Sequence, residues 1–175
     1  MTQTAAIIYY DEMASPIGPL LLATTERGLC TVEFGGYEER REKLERFADR
    51  WIGEHRIERN EKALSSIREQ LEQYFQGSRR NFEVEYDLYG TEFQKRVWHA
   101  LTGISYGATV SYKDIAQAIG SPKAVRAVGG ANNRNPISII IPCHRVIGAS
   151  GEMVGYGGGL DIKSALLKLE GWALS

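Results

Sequence analysis

The chain has 175 residues and a net charge of −1, with 43% hydrophobic and 25% charged residues, a composition typical of a globular protein with a buried core. It contains no apolar run near the roughly 20 residues of a membrane helix, and its first residues lack the basic-then-apolar pattern of a signal peptide. These features argue against a membrane or secreted protein, and we expect a cytoplasmic one. Its two cysteines, Cys30 and Cys143, are far apart in the chain, so we expect reduced thiols.

Charge is distributed unevenly between the two halves of the chain. Residues 1–89 contain 12 Lys and Arg against 17 Asp and Glu, whereas residues 90–175 contain 9 against 5. The C-terminal half is therefore where a polyanion such as a nucleic acid would bind. A basic face that is merely solvated would give the same balance, so the motifs must decide between the two.

The first half of the chain has the pattern of a small antiparallel sheet followed by helices. Short apolar strands bounded by Gly and Pro turns are predicted at 5–10, 17–24 and 29–34. Two helices are predicted at 37–50 and 61–76, because charged residues and regularly spaced apolar residues alternate there. Alternating apolar and charged residues at 82–86 predict one more strand.

The second half has the pattern of a helical DNA-binding unit. After a predicted boundary at 87–90, Thr91 and Gln94 have the spacing of a capping box at the start of a helix. Ser111 is expected to cap a second helix, and Pro122 to begin a third that runs to about Ala131. Two helices joined by a short glycine turn are the layout of a helix-turn-helix unit.

The sequence Pro142-Cys143-His144-Arg145-Val146 carries the strongest chemical signal. The apolar run at 137–141 predicts a buried strand that ends just before Cys143, beside the imidazole of His144. Backbone N–H groups and charges there would favour the thiolate, the reactive form, by lowering a cysteine pKa that is ordinarily about 8.5. The alternative is a small buried core thiol, which is the commoner role of a free cysteine.

Five motifs in order resemble the O6-alkylguanine-DNA alkyltransferases. They are SYKDIA, KAVRAVGGAN, PCHRV, GYGGGL and LLKLEG, and the match spans about residues 91–171. The resemblance implies an α+β protein with an N-terminal ribonuclease-H-like domain at 1–88, built from an antiparallel sheet and helices. A mainly helical winged helix-turn-helix domain at 89–175 would carry the active-site cysteine.

The resemblance also implies the reaction, which is single-turnover DNA repair. The alkyl group of O6-alkylguanine, and also of O4-alkylthymine, would move irreversibly to Cys143. His144 would act through a water as the base, and Glu170 would orient His144. The product is a thioether, which offers water no electrophilic carbonyl, so turnover stops after one event.

DNA contacts are implied for the helix-turn-helix unit. Arg126 matches the residue that fills the base stack after the target nucleotide is flipped out, and Tyr112 matches the tyrosine that rotates the base. Asn135 matches a hinge asparagine. Small side chains around Arg126 would allow close approach to the minor groove; these residues are Ala127, Val128, Gly129, Gly130 and Ala131.

The guanine pocket is expected to combine a loop with residues near Cys143. Its residues would be Tyr112, Val146, Met153, Tyr156, Gly157 and Gly158. Several relatives have serine where this chain has Gly157, so the range of alkyl groups and the preference for guanine over thymine stay open. No cofactor is expected, and no metal, because Cys30, His55 and His99 occur singly.

The partner implied is double-stranded DNA that contains O6-alkylguanine. We expect a monomer in solution, with cooperative binding along DNA left open. Two alternatives also stay open: a lesion-sensing DNA-binding protein without repair activity, and a thiol hydrolase that uses the same Cys–His–Glu relay.

Overall fold

The computed structural model describes residues 4–153, 156 and 158–172. The chain divides into two compact units, Met1–Tyr89 and Gly90–Ser175, and each is described by itself. Within the described ranges, no helix has the length and apolar character needed to cross a membrane.

The first unit is built on a four-stranded sheet of order β3-β2-β1-β4. Its strands are β1 (Ala6–Met13), β2 (Leu20–Thr24), β3 (Leu29–Phe34) and β4 (His55–Arg59). The first three pair antiparallel as predicted, whereas β4 pairs parallel with β1. This edge strand corrects the prediction of a purely antiparallel sheet. Its sequence, HRIER, contains one apolar residue, so it lacks the alternation that reveals a strand.

Two helices complete the first unit, α1 (Tyr37–Trp51) and α2 (Ser65–Phe75). Helix α1 packs Leu44 and Ala48 into a core with Ile8 and Leu21 of the sheet.

The predicted strand at 82–86 is wrong, since its only bridge in the described chain joins Tyr86 to Leu29. The buried side chain of Gln70 instead binds both backbone groups of Glu83, at 2.8 and 3.0 Å. A side-chain amide therefore satisfies the backbone there, in place of a neighbouring strand.

The second unit consists mainly of helices. They are α3 (Glu92–Leu101), α4 (Tyr112–Ala118), α5 (Val125–Asn133) and α6 (Leu160–Leu169), with two short parallel strands, β5 (Val110–Ser111) and β6 (Val146–Ile147). The predicted capping box at Thr91 is present, and Ser111 caps α4 in the same way with Asp114. Helix α5 begins later than the predicted Pro122, because the chain forms a turn in which Ala124 N–H donates to the carbonyl of Ser121.

Helices α3, α4 and α5 contact one another and form the helix-turn-helix unit. The indole N–H of Trp98 on α3 donates to the carbonyl of Ala131 on α5 at 2.9 Å. This bond and the buried Val128 attach the inner face of α5 to the unit, and the opposite face is left at the surface.

Candidate active site

The chain reaches Cys143 through a buried turn, which corrects the predicted strand at 137–141. Within this turn Ile139 has a φ of 72°, and the N–H of Ile140 donates to the carbonyl of Ser138. A positive φ is strained for a β-branched residue, so the surrounding packing must hold it in place. A buried turn and a buried strand are equally apolar, which is why the sequence could not distinguish them.

Cys143–Arg145 form a single 3-10 turn that directs three side chains into the interior. The Nε2 atom of His144 lies 2.7 Å from Oε2 of Glu170, and both side chains are fully buried. Arg145 binds the same carboxylate at both oxygens, from Nε to Oε1 at 2.7 Å and from Nη2 to Oε2 at 3.0 Å. The turn that carries the cysteine is therefore joined to the end of α6 by a buried ion pair.

The Glu170 carboxylate has a further donor, the N–H of Gly107, at 3.3 Å from Oε1. Arg145 in turn donates from Nη1 to the carbonyl of Ile104 at 2.6 Å. Burial of a charge is unfavourable unless it is paired and hydrogen-bonded. Both conditions are met here, so Glu170 can remain ionised inside the protein.

These contacts decide the protonation of His144. Burial lowers the pKa of His144 and the Arg145 charge lowers it further, while the bond to Glu170 opposes them. The ring is therefore neutral at neutral pH, and the carboxylate, which only accepts, places the proton on Nε2. The other nitrogen, Nδ1, has no hydrogen-bond partner among the residues that the structure describes. It carries a lone pair and can accept a proton.

The Cys143 thiol is only 5% exposed. Burial raises its pKa, and this outweighs opposing contributions from Asn135, Tyr156 and Lys163. The raised pKa of Cys143 corrects the expectation that its environment favours a thiolate. The sulfur is protonated in this arrangement, so a base must take its proton before it can act as a nucleophile.

Two asparagines tie α5 and the following loop to this turn. Asn135 donates to the carbonyl of Ile141 at 2.7 Å and accepts from the N–H of Ile137 at 3.0 Å. Asn132, which the sequence reasoning missed, donates to the carbonyl of Cys143 at 3.4 Å. Asn135 thus ties the loop after α5 to the turn that leads to Cys143, and Asn132 ties α5 to Cys143 itself.

The predicted DNA-contact residues within α5 lie on two faces of that helix. Arg126, Ala127 and Gly130 are exposed, and Gly129 is partly exposed. Ala131 is 3% exposed, so its side chain belongs to the core and not to the predicted contact surface. The sequence could have distinguished Ala131 from the contact residues, because its helical spacing from Val128 puts both residues on the same buried face.

The predicted pocket residues differ in burial. Tyr112, Met153, Tyr156 and Gly158 are partly buried, and Val146 is fully buried. Gly157 lies outside the described residues. Burial, and secondarily Cys143, raise the pKa of Tyr112, so the phenol is protonated at neutral pH.

Sequence reasoning missed Arg145 and Lys163 as site residues. The side chain of Lys163 is fully buried on α6, and its Nζ donates to the carbonyl of Val146 at 2.5 Å. A signal was present, because Lys163 and Glu170 lie at helical spacing on the same face as two buried leucines. Two charged residues on the apolar face of a helix indicate a buried polar site.

A second cluster of titratable side chains lies in the first unit. Glu45, Asp49 and His55 bring ligand atoms within 4.8 Å of one another and could hold a metal ion. The ring nitrogens of His55 already face oxygen acceptors, Nδ1 at the carbonyl of Gly53 and Nε2 at Glu45, both at 2.7 Å. The bond to Gly53 and the acidic neighbours raise the pKa of His55. This geometry suits an imidazolium better than a metal ligand.

The fold and site can be compared with known proteins. Residues 92–172 match the family described as 6-O-methylguanine DNA methyltransferase, DNA binding domain, and residues 8–88 match its ribonuclease-like domain. A methylated-DNA–protein-cysteine methyltransferase of Methanosarcina acetivorans is 52% identical over 164 residues, covering 94% of this chain and 99% of the relative. The chain belongs to the 6-O-methylguanine DNA methyltransferase family. This confirms the predicted family.

Two further comparisons support membership of this family. A protein of the same name from Mycobacterium leprae is 48% identical over 166 residues, covering 94% of this chain and 93% of the relative. The crystal structure of Mycobacterium tuberculosis OGT in complex with DNA has a TM-score of 0.79 and 46% identity, over 93% of this chain and 92% of that one. The predicted α+β fold class is confirmed.

Replacing Arg145 by methionine tests the buried ion pair. The change leaves the Glu170 carboxylate buried without its cation, which typically costs about 3–5 kcal/mol, so we expect a loss of that size in the free energy of unfolding measured in urea. The matched control is Arg96→Met, an exposed arginine of the same unit, for which we expect a change below about 0.5 kcal/mol. Equal losses in the two variants would contradict a stabilising role for the pair.

Proposed function

We propose that this protein repairs DNA by transferring the alkyl group of O6-alkylguanine irreversibly to Cys143. Transfer of a methyl group from methylated DNA to a protein cysteine is the activity in the names of relatives that are 52% and 48% identical over almost the whole chain. One observation carries the assignment to Cys143. The residue next to it is a neutral imidazole whose Nδ1 lone pair is available and whose Nε2 is held by Glu170.

The proton and the electron pairs that move during alkyl transfer can be followed through Cys143, His144 and Glu170. His144 Nδ1 takes the thiol proton through a bridging water, and Glu170 stabilises the imidazolium that forms. The sulfur then attacks the alkyl carbon in line with its bond to O6, so that the sulfur–carbon bond forms as the carbon–oxygen bond breaks. The electron pair leaves on guanine, which takes up a proton. Because the thioether cannot be hydrolysed, each molecule acts once.

The target base must leave the helix to reach this sulfur. The O6 atom lies within the duplex, and Cys143 is almost fully buried, so a flipped nucleotide has to enter the protein. Arg126 is exposed and would fill the vacated base stack, and Tyr112, at the start of α4, would guide the base.

The glycines of α5 support binding in the minor groove. A Cβ at Gly129 would meet only the Tyr112 ring at 3.9 Å, and one at Gly130 would meet nothing within 4 Å. Packing within the unit therefore requires neither glycine, although each costs the helix about 1 kcal/mol relative to alanine. Close approach of DNA to this face supplies a reason for both.

We place the chemistry and the DNA contact in the second unit and treat the two units as two domains. O4-alkylthymine is a second proposed substrate. The protein would act as a monomer, and two free thiols with a DNA substrate favour the cytoplasm.

The two alternatives make different use of Cys143. A lesion sensor needs no cysteine, and a thiol hydrolase would release its product and regenerate the thiol. The family supports transfer over both, and the fate of the sulfur distinguishes all three.

Replacing Cys143 by alanine should abolish repair and preserve binding. We expect the variant to bind duplex DNA containing O6-methylguanine as tightly as the unmodified protein, because the contact surface on α5 is unchanged. Loss of O6-methylguanine from the DNA, measured by chromatography, should be zero. Cys30→Ala is the control and should repair stoichiometrically, since Cys30 is a core thiol of the first unit. Repair by the Cys143→Ala variant would refute the assignment.

Replacing Gly130 by alanine should separate stability from DNA binding. In the free protein we expect a gain of about 1 kcal/mol in unfolding free energy, because alanine is the better helix former and its Cβ has room. Repair of duplex DNA should become slower, whereas reaction with free O6-benzylguanine, which needs no groove, should be unchanged. Unchanged repair of duplex DNA would show that this face does not approach the groove.

A further inference from the structure

Helix α5 carries a buried asparagine that its packing does not explain. Asn132 is 1% exposed, and its Oδ1 atom has no hydrogen-bond partner in the described part of the chain. A buried acceptor without a partner destabilises the folded state, and asparagine is a poorer helix former than leucine. Packing alone would therefore favour an apolar side chain at this position.

The nitrogen of the same amide contacts the residue that carries the sulfur. Asn132 Nδ2 donates to the carbonyl of Cys143 at 3.4 Å, and the reverse orientation of the amide would bring two oxygens together. The N–H of Val146 already donates to this carbonyl, so the contact is not needed to satisfy a buried acceptor. It is also long and adds little to stability. Contacts that support a reaction are often long before the substrate binds.

The peptide that Asn132 contacts joins the nucleophile to its base. The Cys143 carbonyl belongs to the peptide bond between Cys143 and His144, and a peptide unit is planar. A donor on its oxygen therefore limits rotation of the plane, which would move the thiol and the imidazole relative to each other. The far side of the imidazole is already held, because its Nε2 lies 2.7 Å from Oε2 of Glu170.

Asn132 lies on a part of α5 that is itself fixed. The carbonyl of the preceding residue, Ala131, accepts from the indole N–H of Trp98 on α3 at 2.9 Å. The turn that bears Cys143 is thus held from α6 through Glu170 and from α5 through Asn132. Two separate helices therefore determine how the thiol faces its base.

We propose that Asn132 is a positioning residue for alkyl transfer, whose amide orients the Cys143–His144 peptide so that the thiol proton can reach Nδ1 of the imidazole. This inference rests on the proposed function of Cys143. Asn132 acts through the backbone and exchanges no proton. The thiol proton still passes through the bridging water to His144, and the sulfur–carbon bond forms as the alkyl carbon–oxygen bond breaks, with its electron pair going to guanine.

Replacing Asn132 by leucine, which has nearly the same size, separates this role from a structural one. The change removes the unsatisfied oxygen, and the Cys143 carbonyl keeps the N–H of Val146 as its donor. We expect the variant to unfold at the same urea concentration as the unmodified protein or at a higher one. Its single-turnover rate with free O6-benzylguanine should fall at least about tenfold, since a displacement of about 1 Å can slow a reaction about a hundredfold. A normal rate would overturn the proposal.

Two further variants complete this measurement. Asn133→Leu is the matched control, because Asn133 is the next residue of α5 and is exposed, and it should react with free O6-benzylguanine at the normal rate. An equal loss in this control would overturn the proposal. Asn132→Ala covers the case in which leucine does not fit. It also removes the donor, so a normal rate for its folded fraction would overturn the proposal as well.

The binding of DNA should not change. The affinity of the Asn132→Leu variant for duplex DNA containing O6-methylguanine should equal that of the unmodified protein, because Asn132 is buried and the exposed face of α5 is unaltered. Transfer from this DNA should slow by the same factor as transfer from free O6-benzylguanine. A variant that loses affinity and transfers normally once bound would contradict the role in the proton relay.

A double-mutant cycle tests whether Asn132 acts through His144. His144→Gln keeps a donor for Glu170 but cannot take the thiol proton. In this background we expect Asn132→Leu to change the remaining rate by less than about twofold. A further loss of tenfold would show that Asn132 acts independently of the relay and would overturn the proposal.

Failure of the proposed function would give a different result. It would appear as alkylation at a residue other than Cys143, or as a His144→Gln protein that reacts at the full rate.

Discussion

The buried carboxylate of Glu170 is the interaction on which the rest of the site depends. It accepts from His144, from Arg145 at two nitrogens and from the N–H of Gly107. The same contacts fix the imidazole tautomer and hold the turn bearing Cys143 against the end of α6. Because Arg145 balances the carboxylate, the anion can persist without water and without raising the pKa of His144 above its ordinary value. The same contacts of Glu170 therefore support both the proton relay and the packing of this unit.

The two thiols of the chain show how neighbours decide reactivity. Both are buried, and burial raises the pKa of each. Cys30 contacts a backbone carbonyl and the hydroxyl of Thr31, and neither of these groups is a base that could take its proton. Cys143 has His144 beside it. Burial then has a chemical benefit, because a protonated thiol inside the protein is protected from other electrophiles until a base and a bound substrate act on it together.

Sequence patterns predicted the features that depend on local chemistry. The capping box at Thr91 and the helix cap at Ser111 were predicted from such patterns, and both are present. Strand β4 and the turn at 137–141 were predicted incorrectly, since a polar edge strand lacks alternation and a buried turn is as apolar as a strand. In the site, family motifs indicated the relay, but the buried environment of Lys163 is formed by a carbonyl and rings that are distant in sequence.

The most direct test of alkyl transfer to Cys143 is intact-mass analysis after incubation with duplex DNA that contains one O6-methylguanine. We expect a single stable increment of one methylene group per molecule, mapped by peptide sequencing to Cys143, with no further reaction when more substrate is added. An unmodified protein that has nevertheless removed the lesion, or an increment mapped to another residue, would contradict it.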